Sequence, residues 1–519
     1  MEDASHGYVY VSLALASLFV VLLARRRRSP PPAAHGDGGR LRLPPGPWTL
    51  PVIGSLHHLV GQLPHHAMRD LARRHGPVML LRIGEVPTLV VSSRDAAREM
   101  MKTHDMAFAT RPLSATMRVI SCGGRDVVFA PYGEYWRQLR KIAVTELLTV
   151  RRVNSYRSIR EEEVAAMLRQ VAVAAEGAER TVEMRAAIFA LATDITARAV
   201  FGKRCKDREE YLVQVDHTIE LSAGFNPADL WPSSRLAGRL SGVVRRAEEC
   251  RDTAFKILDR IIQEHLENTG SDGAAGEDLI DVLLRIQKEG GLQFPLAMDD
   301  IKAIIFDIFG AGSETSGTAL AWAMAELIRS PTVMRKATAE VRRAFAAAGA
   351  VSEDALGELP YLNLVIRETF RLHPPLPLLL PRECREPCRL LGYDVPCGTQ
   401  VLVNAWALGR DERYWPGGSP EEFRPERFED GEATAAVDFR GADFEFLPFG
   451  SGRRMCPGIA FGLANVELPL ASLLFHFDWE VPGMADPTKL DMTEAFGITA
   501  RRKADLHLRP LLRVSVPGV

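Results

Sequence analysis

Cysteine is scarce in this sequence, and net charge is nearly absent. Only 7 of the 519 residues are cysteine, an odd number at irregular spacing, which argues against a disulfide framework and favours a reducing compartment. Cys384 and Cys388 stand close together, but no second cysteine pair or histidine pair lies near them, so we interpret both as ordinary thiols rather than zinc ligands. The formal net charge of −2 gives no indication of nucleic acid or another highly charged partner.

The sequence also lacks a glycine-rich dinucleotide-binding turn between a strand and a helix. Gly310 and Gly312 fall inside a helical pattern, whereas Gly450 and Gly452 belong to a loop that contains a cysteine. Any redox chemistry in this chain would therefore draw its electrons from another protein.

One long hydrophobic run is present, and it lies at the N-terminus. Residues 8–24 are apolar and span ~25 Å as a helix, just enough to cross a bilayer. Four arginines follow at 25–28 and no Lys or Arg precedes the run, the reverse of a cleaved signal peptide. A signal cleaved at the small residues 14–16 is disfavoured because that triplet lies inside the run. The positive-inside rule predicts a lumenal N-terminus and a cytosolic remainder.

Three segments follow from this pattern. Residues 1–28 are predicted to be a membrane anchor with a basic stop, and residues 29–50 a linker that ends in a proline-rich hinge. Residues 51–519 are then one large domain.

Helical periodicity dominates that domain, with a few short β-rich runs. Residues 78–83 and 88–92 are predicted to form a hairpin at the edge of the fold, and residues 105–131 a long loop. The predicted helix 298–329 is apolar nearly all round and is therefore expected to be central and buried. A further long helix is predicted at 457–476. The expected fold is mainly α with small β-sheets.

The most constrained stretch surrounds one cysteine near the C-terminus: Phe449-Gly450-Ser451-Gly452-Arg453-Arg454-Met455-Cys456-Pro457-Gly458. Pro457 suits the first helical position, which would place Cys456 at or next to the helix N-cap. Free N–H groups and the positive end of the helix dipole would favour a thiolate there.

The neighbours of this cysteine clear space and supply a cation. Gly450, Gly452 and Gly458 lack side chains, so a flat, bulky group can approach the backbone closely. Arg454 can fork onto a carboxylate. A thiolate, a cation and cleared space describe a haem pocket with an axial cysteine.

A second motif lies in the middle of the predicted helix 298–329. Ala311-Gly312-Ser313-Glu314-Thr315-Ser316 places an acid and hydroxyls among small residues. The hydroxyl of Thr315 can bond a carbonyl of its own helix and open a groove for water or dioxygen. By itself the stretch would fit a kinked core helix equally well.

These motifs together resemble the cytochrome P-450 monooxygenases over about nine-tenths of the chain, from the hinge to the C-terminus. The resemblance implies the fold of that family, with haem b between the long central helix and the helix that follows the cysteine loop. It implies that Cys456 is the axial ligand of the haem iron, that Thr315 hydrogen-bonds the bound dioxygen, and that Glu314 relays protons. The residues implied to hold the haem are Trp136, Arg140, Arg382, Arg454, Phe449, Gly450 and Gly458.

The resemblance also implies a structural ion network and a substrate pocket. Glu368, Arg371 and Arg427 would form a buried network that fixes the approach to the cysteine loop. The residues implied to line the pocket are Ala311, Leu376, Leu378, Leu379, Phe496 and Ile498.

The hinge sequence most resembles plant A-type microsomal enzymes, particularly those of grasses that oxidise terpenoids. The implied reaction is hydroxylation or epoxidation of a sesquiterpene or diterpene, although a pocket of Leu, Ala and Phe also suits a phenylpropanoid, an indole or a fatty acid. Two rival classes are a haem-thiolate isomerase or dehydratase that needs no reductase, and a non-catalytic haem protein. Thr315 and Glu314 argue against both.

The resemblance further implies a place in the cell and a set of partners. The protein would be a single-pass protein of the endoplasmic reticulum membrane with a cytosolic catalytic domain. NADPH-cytochrome P-450 reductase would supply electrons, with cytochrome b5 as a further partner. The residues Arg137, Lys141 and Arg453 themselves suit a basic docking face on the cysteine side, and equally a simple solvated surface. The apolar segment 225–236 either enters the membrane or packs inward.

Overall fold

The computed structural model describes residues 41–176, 181–204, 208–268 and 277–518. The predicted membrane anchor, 1–28, and most of the predicted linker lie outside the described residues. The described part is mainly helical with three small sheets, which confirms the predicted fold class.

The α-helices are α1 (Pro64–His75), α2 (Arg94–Arg98), α3 (Ala115–Ile120), α4 (Glu134–Ile142), α5 (Val150–Ser155), α6 (Arg157–Glu176), α7 (Met184–Phe201), α8 (Arg208–Leu221), α9 (Pro227–Leu230), α10 (Arg235–Ser241), α11 (Val243–Asn268), α12 (Leu279–Glu289), α13 (Met298–Arg329), α14 (Pro331–Phe345), α15 (Pro360–Leu372), α16 (Ala405–Leu408) and α17 (Ile459–His476). The strands are β1 (Val78–Ile83), β2 (Val86–Val91), β3 (Val182–Glu183), β4 (Arg382–Glu383), β5 (Cys388–Leu390), β6 (Tyr393–Val395), β7 (Gln400–Val403), β8 (Phe477–Glu480) and β9 (His507–Leu512).

Helix α13 is the central helix, and its bounds are those predicted from the sequence. Its first turn is stabilised by Asp300, whose Oδ2 accepts a hydrogen bond from Ala297 N at 2.7 Å. The apolar side chains on all sides are buried against α7 and α17 in the largest hydrophobic cluster. Burial all round is what an apolar helix without a polar face requires.

The predicted hairpin is present, and two further strands extend it into a larger sheet. The turn consists of Gly84 and Glu85 alone, so β2 begins at Val86. The four-stranded sheet has the order β1-β2-β7-β4, and β2 pairs in parallel with β7, with Thr88 opposite Gln400. The hairpin is therefore half of this sheet, and β1 is one of the sheet's two edge strands.

The predicted long loop, 105–131, contains a helix. Ser114 caps α3, because its Oγ accepts a hydrogen bond from Met117 N at 3.3 Å. The period of α3 escaped the sequence argument because six residues hold less than two helical turns.

One described helix is long and apolar enough to cross a membrane, α17, and 67% of its apolar window is buried inside the protein. It is a core helix, since it packs against α13 and α14. The six described cysteines are all free, in agreement with the expectation of no disulfide framework.

Candidate active site

The cysteine loop, residues 449–458, precedes α17 and is closed by backbone hydrogen bonds. Cys456 N donates to Phe449 O at 3.0 Å, which folds the loop back on itself. Helix α17 begins at Ile459 with Gly458 as its N-cap, so Cys456 lies two residues before the cap. The position of Pro457 had predicted Cys456 at or next to the cap. Gly458 N donates to the thiol sulfur at 3.4 Å.

The environment of Cys456 does not by itself favour a thiolate, contrary to the prediction. Burial raises the pKa of the thiol, and the Gly458 N–H and the Arg140 guanidinium only partly oppose this. A thiolate at this position therefore needs a cation directly at the sulfur, as a metal ligand has. Cys456 nevertheless keeps exposed surface although protein surrounds it. It therefore lies on the wall of an internal cavity.

The three glycines of the loop have two different roles. A Cβ on Gly450 would contact only Leu379 Cδ1, at 3.8 Å, and a Cβ on Gly458 only the Cys456 sulfur, at 3.9 Å, so both leave space beside the loop. A Cβ on Gly452 would lie 2.5 Å from Asp105 Oδ1. Gly452, at φ +70°, thus permits a close approach of protein, not of a cofactor.

Asp105 holds the cysteine loop in place, a role that no pattern in the sequence indicated. Its carboxylate accepts a hydrogen bond from Arg453 N at 3.1 Å and pairs with the Arg453 and Arg382 side chains at 3.4 and 3.5 Å. These contacts join the beginning of the 105–131 segment to the loop that carries Cys456.

Three buried arginines converge beside the loop, two of them expected and one missed. Arg454 donates to the carbonyls of Ala109, Val128 and Ala130, and Arg111 donates to Leu380 O at 2.7 Å. The third, Arg382, donates to Ser451 O at 2.7 Å.

The electrostatics of this cluster favour an anionic ligand. Burial lowers the pKa of Arg454 to about 9, with Arg382 adding to the shift and Asp126 opposing it. Burial lowers the pKa of Arg382 to about 10, and burial with the repulsion of Arg454 and Arg382 lowers that of Arg111 well below its usual range. An anionic ligand would offset the repulsion between these buried positive charges and favour their protonated form.

Trp136 and Arg140 share one face of α4, as predicted, but they do different things. The Trp136 indole donates its N–H to Val127 O at 3.0 Å, and its ring lies 4.2 Å from the Arg454 guanidinium. Trp136 therefore supports Arg454 instead of presenting a free N–H to a propionate. Arg140 is half-buried near Cys456 and donates no hydrogen bond to any residue that the structure describes.

The central helix presents an accessible stripe in the middle of its buried length. Thr315 lies on this stripe and donates its hydroxyl to Ala311 O at 2.7 Å, as the sequence predicted. Positions three, four and seven apart on a helix share a face, so these residues form one stripe, which we interpret as the second wall of the internal cavity. Between Ile301 and Ile328 the positions that are not buried are Asp307, Ile308, Gly310, Ala311, Gly312 and Thr315.

The cysteine-loop helix packs directly against this stripe. A Cβ on Gly312 would lie 3.2 Å from Phe461 Cε1, and a Cβ on Gly462 would lie 4.0 Å from Ser316 Oγ. The structure therefore brings the Thr315 motif and the helix that follows Cys456 together, as the resemblance implied.

Glu314 is buried next to Thr315 and is tightly held. Arg501 donates to both of its carboxylate oxygens, and Thr499 Oγ1 donates to Oε1 at 2.7 Å. Arg501 also donates to the exposed Asp216 at 2.8 Å. A hydrogen-bonded path thus runs from solvent to the carboxylate that was predicted to relay protons.

The predicted ion network is present in the structure. Arg371 Nε and Nη2 donate to the two oxygens of Glu368 at 2.7 and 2.8 Å, and Arg427 Nε donates to Glu368 Oε1 at 2.9 Å. All three side chains have no exposed surface. Arg371 also binds the carbonyls of Gly409 and Pro420, which ties α15 to the segment leading to the cysteine loop.

The predicted pocket residues do not all face one space. Ala311 is exposed to the cavity, and the ring of Phe496 lies 5.7 Å from that of Phe225. Leu378 packs on the cluster beneath β1 and β2, whereas Leu379 packs on a second cluster beside β4 and β7. Leu376 and Ile498 are half-buried.

The residues present fit a haem. Arg382 Nη1 is buried and has no hydrogen-bond partner among the described residues, and Arg140 is likewise unengaged. Two guanidinium groups with N–H donors to spare match two propionates, and the accessible thiol of Cys456 matches an axial position.

The residues that sequence reasoning missed are charged groups that act on distant segments. A signal was available for one of them, because Arg501 follows a stretch already assigned to the pocket. The missed residues are Asp105, Arg111, Asp126, Asp307, Thr499 and Arg501.

Comparisons with known proteins agree with this geometry. The family model described as Cytochrome P450 matches residues 44–506. Dolabradiene monooxygenase of Zea mays is 51% identical over 478 residues, covering 91% of this chain and 93% of that protein. Premnaspirodiene oxygenase of Hyoscyamus muticus is 49% identical over 471 residues, covering 90% and 92%.

A solved structure supports the same conclusion for the fold. A zebra fish cytochrome P450 with abiraterone superposes with a TM-score of 0.71 at 25% identity, covering 87% of this chain and 99% of that chain. With a family match over most of the chain and a cysteine, arginine and threonine arrangement that fits a haem-thiolate site, the chain belongs to the cytochrome P450 family of monooxygenases.

Proposed function

We propose that the protein is a membrane-anchored monooxygenase that inserts one atom of dioxygen into a sesquiterpene or diterpene, by hydroxylation or epoxidation. The other oxygen atom leaves as water, and two electrons come from NADPH through a partner protein. The observation that carries the proposal is the cavity between the accessible Cys456 and the accessible stripe that contains Thr315. The two curated relatives described above are named for terpenoid oxidation.

The chain's own residues bind the cofactor at both edges. Haem b, bound through Cys456, supplies the activation of dioxygen. Arg140 and Arg382 hold the two propionates, because these guanidinium groups have N–H donors to spare. Gly450 and Gly458 leave the space that a flat ring system needs beside the sulfur.

Proton delivery uses Thr315 and Glu314. The Thr315 hydroxyl stands on the cavity wall, where it can exchange its bond to Ala311 O for one to a bound oxygen molecule. Glu314 lies behind it and connects through Arg501 to the exposed Asp216. This path carries protons inward without opening the apolar cavity to bulk water.

The hydrophobic substrate enters the protein from the membrane. Trp231 Nε1 donates to Val52 O at 3.0 Å, so the 225–236 segment is docked on the hinge region. Trp48 beside it and Leu240 after it expose most of their apolar surface on this side of the protein. We assign this side to the bilayer surface of the endoplasmic reticulum, with residues 1–28 as the single membrane span and the catalytic domain in the cytosol.

The electron donor docks on the cysteine-loop side. The guanidinium groups of Arg137, Arg385 and Arg453 all lie within 6 Å of the Tyr132 ring, at 5.6, 5.3 and 5.9 Å. Together with the exposed Lys141 they make a basic face that suits an acidic flavoprotein. We assign it to NADPH-cytochrome P450 reductase, with cytochrome b5 as a second partner at the same face.

A reduced, carbon monoxide-treated spectrum of membranes that express the protein tests the haem site. We expect a strongly red-shifted Soret band for the wild type and none for Cys456→Ala at equal protein level. Incubation with the reductase, NADPH and a panel of terpene hydrocarbons should then give products that carry one added oxygen. Turnover without NADPH, or oxidation of phenylpropanoid, indole or fatty-acid members of the panel alone, would overturn the proposal.

A further inference from the structure

A carboxyl group that the proposed chemistry does not use lies on the cavity wall. Asp307 belongs to the accessible stripe of the central helix and lies one turn before Ala311, on the same face. It stands eight residues before Thr315, which corresponds to ~12 Å along the helix axis. It is thus placed at the end of the cavity far from the reacting centre.

The orientation of this carboxyl group is fixed by the 105–131 segment. Asp307 Oδ2 accepts hydrogen bonds from Val127 N at 3.0 Å and Val128 N at 3.1 Å. The other oxygen, Oδ1, accepts no hydrogen bond from any residue in the described part of the chain. Since Asp307 is surrounded by protein yet keeps accessible surface, Oδ1 borders the cavity.

A ligand that covers this accessible oxygen without bonding it would displace water at a cost. Burial raises the pKa of Asp307, and the neighbouring Asp126 raises it further. The Asp126 carboxyl group is already held by backbone donors, because its Oδ1 accepts hydrogen bonds from Phe129 N at 2.6 Å and Ala130 N at 3.0 Å. It does not serve as a hydrogen-bond partner of Asp307. A ligand group that hydrogen-bonds Oδ1 avoids the free-energy cost of covering that oxygen unpaired.

We propose that Asp307 is a specificity-determining residue that hydrogen-bonds a hydroxyl group of the substrate, so that the preferred substrate is a terpenoid alcohol and not a hydrocarbon. The inference rests on the proposed function and narrows its substrate class. A hydroxyl group both donates and accepts, so it pairs with the ionised and with the protonated carboxyl group. An ammonium group pairs well only with the ionised form, which burial and Asp126 both disfavour.

The same geometry places this protein in a reaction sequence. A substrate that already carries a hydroxyl must come from an earlier oxidation of the terpene skeleton. The oxygen inserted here would then lie at the opposite end of the molecule, because Asp307 and Thr315 are two helical turns apart.

The test measures binding by the haem Soret shift, independently of turnover. A bicyclic sesquiterpene hydrocarbon, its monoalcohol and the corresponding primary amine are titrated into the holoenzyme and into Asp307→Ala, Asp307→Asn and Asp299→Asn. Asp299 is a matched control, since it is an exposed carboxylate on the same helix. The readout is the ratio of dissociation constants for hydrocarbon and alcohol, because a displaced 105–131 segment would weaken both ligands alike.

We expect the wild type and Asp299→Asn to bind the alcohol about 10-fold more tightly than the hydrocarbon, one good hydrogen bond's worth. The ratio should fall to near 1 in Asp307→Ala and be largely kept in Asp307→Asn, whose amide still pairs with a hydroxyl. Equal binding of alcohol and hydrocarbon by the wild type, an unchanged ratio in Asp307→Ala, or an amine that binds most tightly in the wild type and loses that advantage in Asp307→Ala would each overturn the inference alone. No shift with any of the terpenoids would overturn the proposed substrate class together with it.

Discussion

Arg501 and Glu314 form a bidentate ion pair, in which Nε and Nη2 of the arginine donate to the two carboxylate oxygens. This pair joins the C-terminal turn to the middle of the central helix. Burial lowers the pKa of Arg501 and the Glu314 carboxylate more than reverses this, so the pKa of the guanidinium is raised overall. The turn that carries Phe496 and Ile498 is therefore anchored on the acid of the proton path. Under the proposed function, this one pair would couple the substrate side of the cavity to proton delivery.

Arg501→Gln should separate haem binding from productive turnover. Loss of the guanidinium leaves the buried Glu314 without its ion partner, which costs up to about 3 kcal/mol of stability, and disconnects it from Asp216. We expect a normal reduced carbon monoxide spectrum but several-fold less product per NADPH consumed. The control is Arg245→Gln, which removes an exposed ion pair with Glu249. Full coupling in Arg501→Gln would show that the path lies elsewhere.

Arg371→Ala should abolish haem incorporation. The substitution removes one of the two arginines that pair with Glu368, a carboxylate with no exposed surface. It also removes three hydrogen bonds to carbonyls of the 409–422 segment, so about 3–5 kcal/mol of stability should be lost. Arg335→Ala, at an exposed arginine on α14, is the control and should load haem normally. The measurement is the ratio of haem to purified protein, and recovery of fully loaded Arg371→Ala would refute the assignment.

Gly452→Ala should be far more damaging than an alanine at another left-handed glycine. At Gly452 the new Cβ would lie 2.5 Å from Asp105 Oδ1 and 2.6 Å from Met101 O, and backbone strain adds to that clash. Gly483 has a similar φ of +72° with nothing within 4 Å, so Gly483→Ala should cost only the strain, about 1–2 kcal/mol. The difference in melting temperature and in the Soret position isolates the close approach. Equal effects of the two substitutions would contradict this role of Gly452.

His373 should make the protein less stable as pH falls below neutrality. Burial lowers the pKa of His373, and its hydrogen bond to Glu326, 2.7 Å long, only partly opposes this. The unfolded chain therefore binds a proton near pH 6.5 that the folded protein does not, so stability is full above that pH and is lost below it. The melting temperature should fall from pH 7 to pH 5, and less steeply in His373→Gln. His217→Gln, at an exposed histidine, should keep the wild-type slope; the same slope in all three proteins would rule out His373 as the cause.

Local chemistry made several elements predictable. The bounds of the central helix followed from its apolar residues, and Thr315 bonds Ala311 four residues earlier, within one turn. The pair Glu368 and Arg371 faces the same way because three residues separate them on a helix. These features are set by neighbours in the sequence, so a periodic pattern or a turn motif is enough to find them.

The predictions of where the helix after the cysteine loop begins and of a thiolate favoured by that helix were wrong because of tertiary structure. The loop is bent by the bond from Cys456 to Phe449, which delays α17 to Ile459, and surrounding segments bury the sulfur and raise its pKa. Neither effect is visible in the ten residues of the motif. The indole of Trp136 likewise turned to Val127 because the 105–131 segment passes beside α4.

The sequence by itself determined the family and the bounds of the central helix, because these depend on motifs of a few residues and on an unbroken apolar pattern. Tertiary structure alone decided which charges are buried and what they hold. Asp105 meets Arg453 from 348 residues away, and Arg501 meets Glu314 from 187 residues away. A buried charge is stable only beside its partner, and the partner is chosen by the path of the chain through space, which no local pattern encodes.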